Sequence, residues 1–493
     1  MKKVVLLYPK TGWDVKNVTI LLPLSVMLLG RPLRRAGFTP VVIDMRIDTH
    51  WENTLRTHLA GGDVRAVGIS AMTGLQIRGG LVASAMVRKL APGVPIVWGG
   101  IHPALMPIQT AEHPLVDYVV WGEGESALVE LMNALDHEAK PTAPIPGVTY
   151  LDAHGAPVHG PKLPFIDLGE ALVPDYDLVN VDDYFTTQTL GERDLAIVTS
   201  RGCPSRCSFC YNVAYASRRW RAQPPEAVVD HVEYIVRRYG INAILIKDDN
   251  FYVSKKRVEQ IAQGFRARGI KVVVRGECRA DYISNGYSDE LLRDLYDNGF
   301  QEMTVGAESG TDMGLSLLLK DLKVDDIYTA SEKLGRAKIA TKFTFMAGFP
   351  GETWETIKDT LRLMTNLVRD NPYARTTPMH LYAPYPGTPL FDDAVKGGWN
   401  APDTLEGWSD VDFHQCDLPW IDPKVRKVLE RISLSTYFLD GRTMPEYFAN
   451  SKTLSWGTKF YGSVVRWRAE RTNFRFMPEL WLMERYRKMA AQA

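Results

Sequence analysis

Cysteine is scarce in this chain: five in 493 residues, at positions 203, 207, 210, 278 and 416. An odd count with three crowded into eight positions is a poor disulfide framework and reads better as a metal site. Net charge is also lacking, since 58 basic side chains balance 58 acidic ones. That balance argues against a protein built to grip the phosphate backbone of a nucleic acid. No run reaches the ~18–20 apolar residues that span a bilayer. The most apolar stretch, 20–30, is short, contains Pro23, and follows a strand-like start at Val4–Leu7, so it is not read as a signal peptide either. Internal repeats and low-complexity tracts are missing. These absences place the chain in the cytoplasm, where thiols stay reduced. Apolar residues at 45% and charged residues at 24% are ordinary for globular chains, which excludes long disorder. The length suggests about three domains.

Residues 1–140 alternate strand and helix. Strands are predicted at 4–7, 39–44, 65–70, 95–98 and 117–121, with a helix over 21–36. Five strands with crossover helices make a doubly wound, Rossmann-like parallel sheet. In such sheets ligands bind at the carboxyl ends of the strands. Those ends carry Ser70, Thr73, Gly99, Gly100, His102, Gly122, Glu123 and Gly124. Any one of these glycines could equally mark a tight turn. Residues 141–190 are rich in proline and read as a linker with a small hairpin.

A second βα series fills 191–390, with strands predicted at 195–199, 242–246, 271–275, 302–305, 341–346 and 378–382. Six units rather than eight imply a partial (βα)6 barrel, open on one side, with its chemistry at the carboxyl strand ends. Those ends carry the cysteine loop, Asp248 and Asp249, Arg279, Glu308, and the turn containing Gly348 and Gly351. Polar or special residues after every strand, all on one side, are hard to call accidental. Residues 391–493 lack this rhythm and read as mostly helical.

The cysteine loop runs Arg201-Gly202-Cys203-Pro-Ser-Arg-Cys207-Ser-Phe209-Cys210, a C-x3-C-x2-C spacing. Three thiolates can hold three irons of a cubane and leave the fourth open, whereas such clusters normally have four protein ligands. A structural zinc would need a fourth ligand, with Cys278 or His231 as candidates. The spacing, Phe209 and the position after the first strand of a βα series favour the cluster.

This loop resembles that of the radical S-adenosylmethionine (SAM) superfamily. Further motifs carry the resemblance across residues 1–390: GIS-x-MT at 68–73, GG-x-HP at 99–103, VWGEGE at 120–125, KDDNF at 247–251, GAESG at 306–310 and GFPGET at 348–353. They are similar to cobalamin-dependent radical SAM enzymes of the anaerobic magnesium-protoporphyrin monomethyl ester cyclase and carbon methylase type.

The resemblance implies three cofactors: a [4Fe–4S] cluster on Cys203, Cys207 and Cys210, SAM, and cobalamin. Phe209 would pack by the adenine, and Asp248 and Asp249 would lie where the backbone meets the SAM amino group. Arg279 would pair with the SAM carboxylate, or simply with Asp281. Glu308 would hold the amino group or ribose, or cap a helix beginning near Thr311. Gly348 and Gly351 would allow close approach to the adenosine. Ser70, Thr73, Gly99 and Gly100 would line the cobalamin tail groove, the Gly122-Glu123-Gly124 turn would approach the corrin, and His102 would hydrogen-bond it or serve only its own turn. Asp48-Thr49-His50 falls short of the D-x-H-x-x-G motif, so His50 reads as a surface residue.

The implied reaction is methylation of an unactivated carbon through a 5′-deoxyadenosyl radical and methylcobalamin. The alternatives are an oxidative cyclase or hydroxylating enzyme built from the same parts and, from another class, a non-enzymatic cobalamin or iron–sulfur sensor. The partners implied are a small-molecule or lipid-like substrate and a one-electron reductant such as flavodoxin or ferredoxin. In the C-terminal segment, Lys459, Arg466, Arg468, Arg471, Arg475, Arg485, Arg487 and Lys488 interleave with Phe460, Tyr461, Trp467, Phe474, Phe476, Trp481 and Tyr486. This pattern suits peripheral membrane contact or an anionic substrate. It also suits a solvated helix packing its aromatics on the barrel.

Overall fold

In a computed structural model, residues 2–12, 14–137, 143–169, 171–188, 190–411, 417–444, 452–474 and 477 are described. The first sheet has the strands β1 (Lys3–Tyr8), β2 (Thr39–Asp44), β3 (Val64–Ser70), β4 (Ile96–Gly99) and β5 (Tyr118–Val120). These five run parallel in the order β2-β1-β3-β4-β5. The order reverses at β1, so crossovers leave to opposite faces and open a crevice at the carboxyl ends. Val4 to Leu7 are all buried, as a central parallel strand with both faces covered requires.

Two local expectations change. The helix expected over 21–36 is two short ones, Leu24–Met27 and Gly30–Arg35. Pro32 has no N–H to give the carbonyl of Leu28, so the helical ladder cannot run through. The proline-rich stretch also does more than cross the surface. Its hairpin, β6 (Val148–Leu151) and β7 (Pro157–His159), adds antiparallel to β5 and widens the first sheet to seven strands.

The second sheet begins with an edge strand, β8 (Thr186–Gln188), antiparallel to β9 (Gly191–Ile197). A short ribbon of β10 (Ser200–Arg201) and β11 (Arg221–Ala222) brackets the cysteine loop. Parallel strands β12 (Ala243–Ile246), β13 (Val273–Arg279), β14 (Phe300–Glu308), β15 (Ala340–Ala347) and β16 (Ala374–Leu381) complete the sheet. Six parallel strands are thus present. The helix Pro423–Thr436 lies against β16 at the open edge, where Thr436 Oγ1 accepts from the Met379 amide at 2.9 Å. An edge amide without a strand partner is satisfied in this way.

Apolar residues unite the two sheets. Val5, Leu7, Ile69 and Trp98 of the first share a core with Met346, Phe349 and Tyr382 of the second. The segment 399–411 returns over the first domain: Trp408 Nε1 donates to Gln109 Oε1 at 2.7 Å, and Arg78 pairs with Asp410. The carboxyl ends of both sheets therefore face each other.

Candidate active site

Between these ends lies a cavity of about 550 Å³. The first sheet contributes Tyr8, Ser70, Gly99, Gly100, Gly122, Glu123 and Gly124; the second contributes Val198, Ser200 to Gly202, Tyr211, Lys247 and Asp249. The volume falls within the range of ligand and cofactor pockets. Small residues keep the first wall low: a Cβ on Gly122, at φ +77°, would meet nothing within 4 Å. Gly100, at φ +100°, is needed differently, since its Cβ would stand 2.6 Å from the Ala71 carbonyl.

The two acidic residues after β12 pin the cysteine loop rather than share one role. Asp248 is fully buried and accepts from the Thr199 amide and from the hydroxyls of Thr199 and Ser200, each at 2.6 Å. It therefore lies behind the cavity wall, not at a cofactor face. Asp249 accepts from the Gly202 amide at 2.8 Å and the Tyr211 hydroxyl at 2.7 Å, tying both flanks of the loop together.

On the loop, burial, joined by Cys207, Asp249 and Cys203 nearby, pushes the Cys210 thiol up to about 12. Thiolates here thus call for a cationic partner, as an iron–sulfur cluster is. Among the described residues no three His, Cys, Asp or Glu side chains are grouped as a single metal ion requires. Neither proposed fourth zinc ligand serves. His231 is buried against the Tyr176 hydroxyl at 2.8 Å, and the Cys278 thiol faces the Arg279 carbonyl. Cys416 lies outside the described residues.

Arg279, Glu308 and Phe209 come together beside this loop. Arg279 donates to Asp281 at 2.9 Å and to the Lys320 carbonyl, and its Nη1 lies 3.4 Å from Cys207 Sγ. Glu308, at φ +65°, accepts from Lys320 Nζ at 2.8 Å and Thr344 at 3.2 Å. It caps no helix; Thr311 does that itself. Lys320 also stands over the Phe209 ring, 5.8 Å from its centroid. Sequence reasoning missed Lys320, which sits in a turn after a short helix and carries no strand-end signal.

Other expectations are revised. His102 does not reach the cavity: it is fully buried, hydrogen-bonds Thr73 through Nδ1 at 2.9 Å, and lies against Trp408. Thr73 is occupied by that same bond. Burial takes His102 down to about 4, so it stays neutral. Gly348 and Gly351 both have positive φ, but what approaches Gly348 is Leu418, while Trp420 Nε1 donates to its carbonyl. Glu123 is bound to protein: it accepts from Arg221 and from the Ile166 amide at 2.8 Å, with Arg201 alongside. Arg201 also pairs with Glu125. The two glutamates of the first domain and two arginines around the cysteine loop thus form one buried ionic clamp, which no motif foretold. His50 is exposed, as expected.

Comparison with known proteins agrees with this arrangement. The radical SAM superfamily profile matches residues 197–364, and the B12 binding domain profile matches 15–132. An uncharacterized methyltransferase of Pyrococcus horikoshii is 28% identical over 445 residues, covering 88% of this chain and 92% of its own length. The anaerobic magnesium-protoporphyrin IX monomethyl ester cyclase of Cereibacter sphaeroides is 28% identical over 376 residues, 75% of this chain and 60% of that protein. Among solved structures, OxsB, a cobalamin-dependent S-adenosylmethionine radical enzyme with aqua-cobalamin and SAM bound, superposes with a TM-score of 0.73 at 17% identity, over the whole of this chain and 75% of that one.

The chain is therefore a radical SAM enzyme. It joins a radical SAM domain to a B12-binding domain, and its named relatives include cobalamin-dependent radical SAM methyltransferases and the monomethyl ester cyclase. Its cofactors are a [4Fe–4S] cluster, SAM and cobalamin.

Proposed function

We propose that the enzyme methylates an unactivated carbon, with residues 1–140 holding cobalamin, 191–390 holding the cluster and SAM, and 391–493 closing the barrel beyond the 141–190 linker. One observation supports this reading: a single chamber is walled by the carboxyl ends of the first sheet and by both flanks of the cysteine loop, Arg201-Gly202 and Tyr211. Methylation is preferred to cyclisation because the relative spanned almost end to end is named as an uncharacterized methyltransferase, whereas the match covers 60% of the cyclase.

The bound cofactors supply hydrogen abstraction from carbon and a transferable methyl group. The protein's part is to bind and orient them. Cys203, Cys207 and Cys210 would ligate three irons. Arg279, already donating toward Cys207, would offer its planar donors to a carboxylate. Glu308 would offer its carboxylate to an amino or ribose group, with Lys320 holding it in place, and Phe209 a face for the adenine. Ser70, Gly99, Gly100, Gly122 and Gly124 would admit the corrinoid. Asp248, Asp249 and Glu123 act through the loop and the clamp, as positioning residues. Gly348 and Gly351 shape the turn above. A small-molecule substrate and a one-electron donor such as flavodoxin or ferredoxin complete the reaction, which this reading sets in the cytoplasm.

The test is anaerobic turnover of the reconstituted enzyme with cobalamin, a strong reductant and CD3-labelled SAM. Formation of S-adenosylhomocysteine together with 5′-deoxyadenosine is the expected result. Deoxyadenosine alone would point to cyclisation or hydroxylation, and no SAM cleavage would point to a sensor.

A further inference from the structure

The helix Lys452–Arg471 packs one side on the barrel. Gly462, Val465 and Ala469 are buried, and a Cβ at Gly462 would stand 2.6 Å from the Phe438 carbonyl. The aromatic residues of this helix do not all join that side. At 3.6 residues per turn, positions 456, 460 and 467 fall on the face opposite 462, 465 and 469. Trp456 is 69% exposed, Phe460 62% and Trp467 47%. Trp456 and Phe460 stack on each other, centroids 5.9 Å apart and 12° from parallel, which presents one flat apolar surface outward. The reading that these aromatics pack on the barrel is therefore not met for these three.

The rim of this surface is basic. Exposed Lys452 and Lys459 border it on one side, and exposed Arg471 lies over the Trp467 ring on the other. The helix carries five basic side chains against Glu470 alone. Outward Trp and Phe flanked by Lys and Arg is the arrangement of a helix lying in a bilayer interface, with its rings at the acyl boundary and its cations among anionic headgroups. A second copy of the same face would bring like charges together. Residues 475–493 offer only Glu479 and Glu484 against Arg475, Arg485, Arg487 and Lys488, so they supply no net counter-charge.

We infer that the outer face of helix 452–471 is a docking surface for an anionic lipid bilayer. The attachment is peripheral, since among the described residues no helix is long and apolar enough to cross a membrane. It is independent of the reaction proposed above. Exposed Trp456 and Phe460 supply the apolar contact, and Lys452 and Lys459 the attraction to charged headgroups.

The test is co-sedimentation of the full chain with phosphatidylglycerol–phosphatidylcholine vesicles and, separately, with phosphatidylcholine alone. Binding is expected to the anionic vesicles, to weaken with salt, and to be weak or absent on phosphatidylcholine. The K452Q/K459Q variant should lose about fivefold in partitioning per basic residue replaced. The W456S/F460S variant should lose at least about tenfold. Circular dichroism and iron content should match the parent in both, which separates loss of the surface from loss of the fold. No binding to anionic vesicles overturns the inference, as does binding that survives both variants. Light scattering that shows a dimer dispersed by W456S/F460S would assign the face to a second copy instead.

Discussion

Arg279 places Nη1 3.4 Å from Sγ of Cys207 while its other nitrogens hold Asp281 and the Lys320 carbonyl. One guanidinium therefore joins the end of β13 to the cysteine loop and to the turn that carries the lysine of the Glu308 pair. Replacing it by Gln should leave the iron content near that of the parent, because the thiols remain. SAM cleavage should fall by about tenfold to a hundredfold, the loss of one or two charge-assisted hydrogen bonds. Iron analysis beside a deoxyadenosine assay separates the two; loss of iron and activity in equal measure would make Arg279 a structural prop.

The three loop cysteines should behave alike, and differently from Cys278. Cys203→Ala, Cys207→Ala or Cys210→Ala should abolish the visible absorbance of the reconstituted cluster, while the far-ultraviolet circular dichroism persists. Cys278→Ala should keep the absorbance, since that thiol faces the Arg279 carbonyl. A colourless Cys278→Ala would contradict this placement.

The clamp between domains makes a thermodynamic prediction. Burial pushes the Glu123 carboxyl up, but Arg221 and Arg201 outweigh it and hold the carboxyl below its usual range. Its stabilisation is present above the unfolded value near 4.5 and fades as the pH falls through the lower folded value. Glu123→Ala, which takes an acceptor from the half-buried Arg221 while Arg201 keeps Glu125, should cost about 1–3 kcal/mol near neutrality. A Glu123→Leu/Arg221→Met pair should recover part of that loss. Denaturant titration would measure both, and additive costs in the pair would argue that the groups do not interact.

Glu352 makes the opposite pH prediction. Burial carries its carboxyl up to about 8, against the ordinary 4.5, despite the Gly348 amide that donates to it. Unfolding between these pH values releases a proton, so this group's contribution to stability falls as the pH rises from 4.5 to 8. The slope is at most about 1.4 kcal/mol per pH unit. Glu352→Gln has no proton to lose there and should gain on the parent as the pH rises. Parallel stability curves for the two proteins across this window would refute the assignment.

Asp248→Asn tests the pin beneath the loop. An amide nitrogen facing the Thr199 amide and two hydroxyls cannot accept as the carboxylate does, so about 1–3 kcal/mol of stability and part of the cluster loading should go. Full loading in this variant would show that the loop needs no such support.

The sequence made the two sheets legible because parallel strands buried on both faces write unbroken apolar runs, as Val4–Leu7 does. Strand ends were less clear: β13 runs on to Arg279 and β14 starts at Phe300, since polar residues may continue a strand once they turn into the barrel. The hairpin at 148–159 was visible, but its pairing with β5 was not, because edge pairing depends on tertiary geometry. At the site, the spacing of the cysteine loop and the strand-end position of Asp249 were readable, but not that Asp249 ties the loop's flanks together. Lys320 and the Glu123–Arg221 contact were not, being produced by segments far apart in sequence. Asp248 and His102 show the limit most directly: a strand-end position does not say whether a side chain turns toward the cavity or into the wall. Of the C-terminal residues singled out, Arg475, Phe476, Trp481, Arg485, Tyr486, Arg487 and Lys488 lie outside the described residues.

The hydrogen bond from Trp408 to Gln109 spans 299 positions of chain. During synthesis the first domain emerges well before the segment that will cover it, and the whole barrel must be translated in between. The seam is thus laid down late. Until then the helix faces that carry Arg78 and Gln109 stand uncovered, so the first sheet must fold with that side open to solvent.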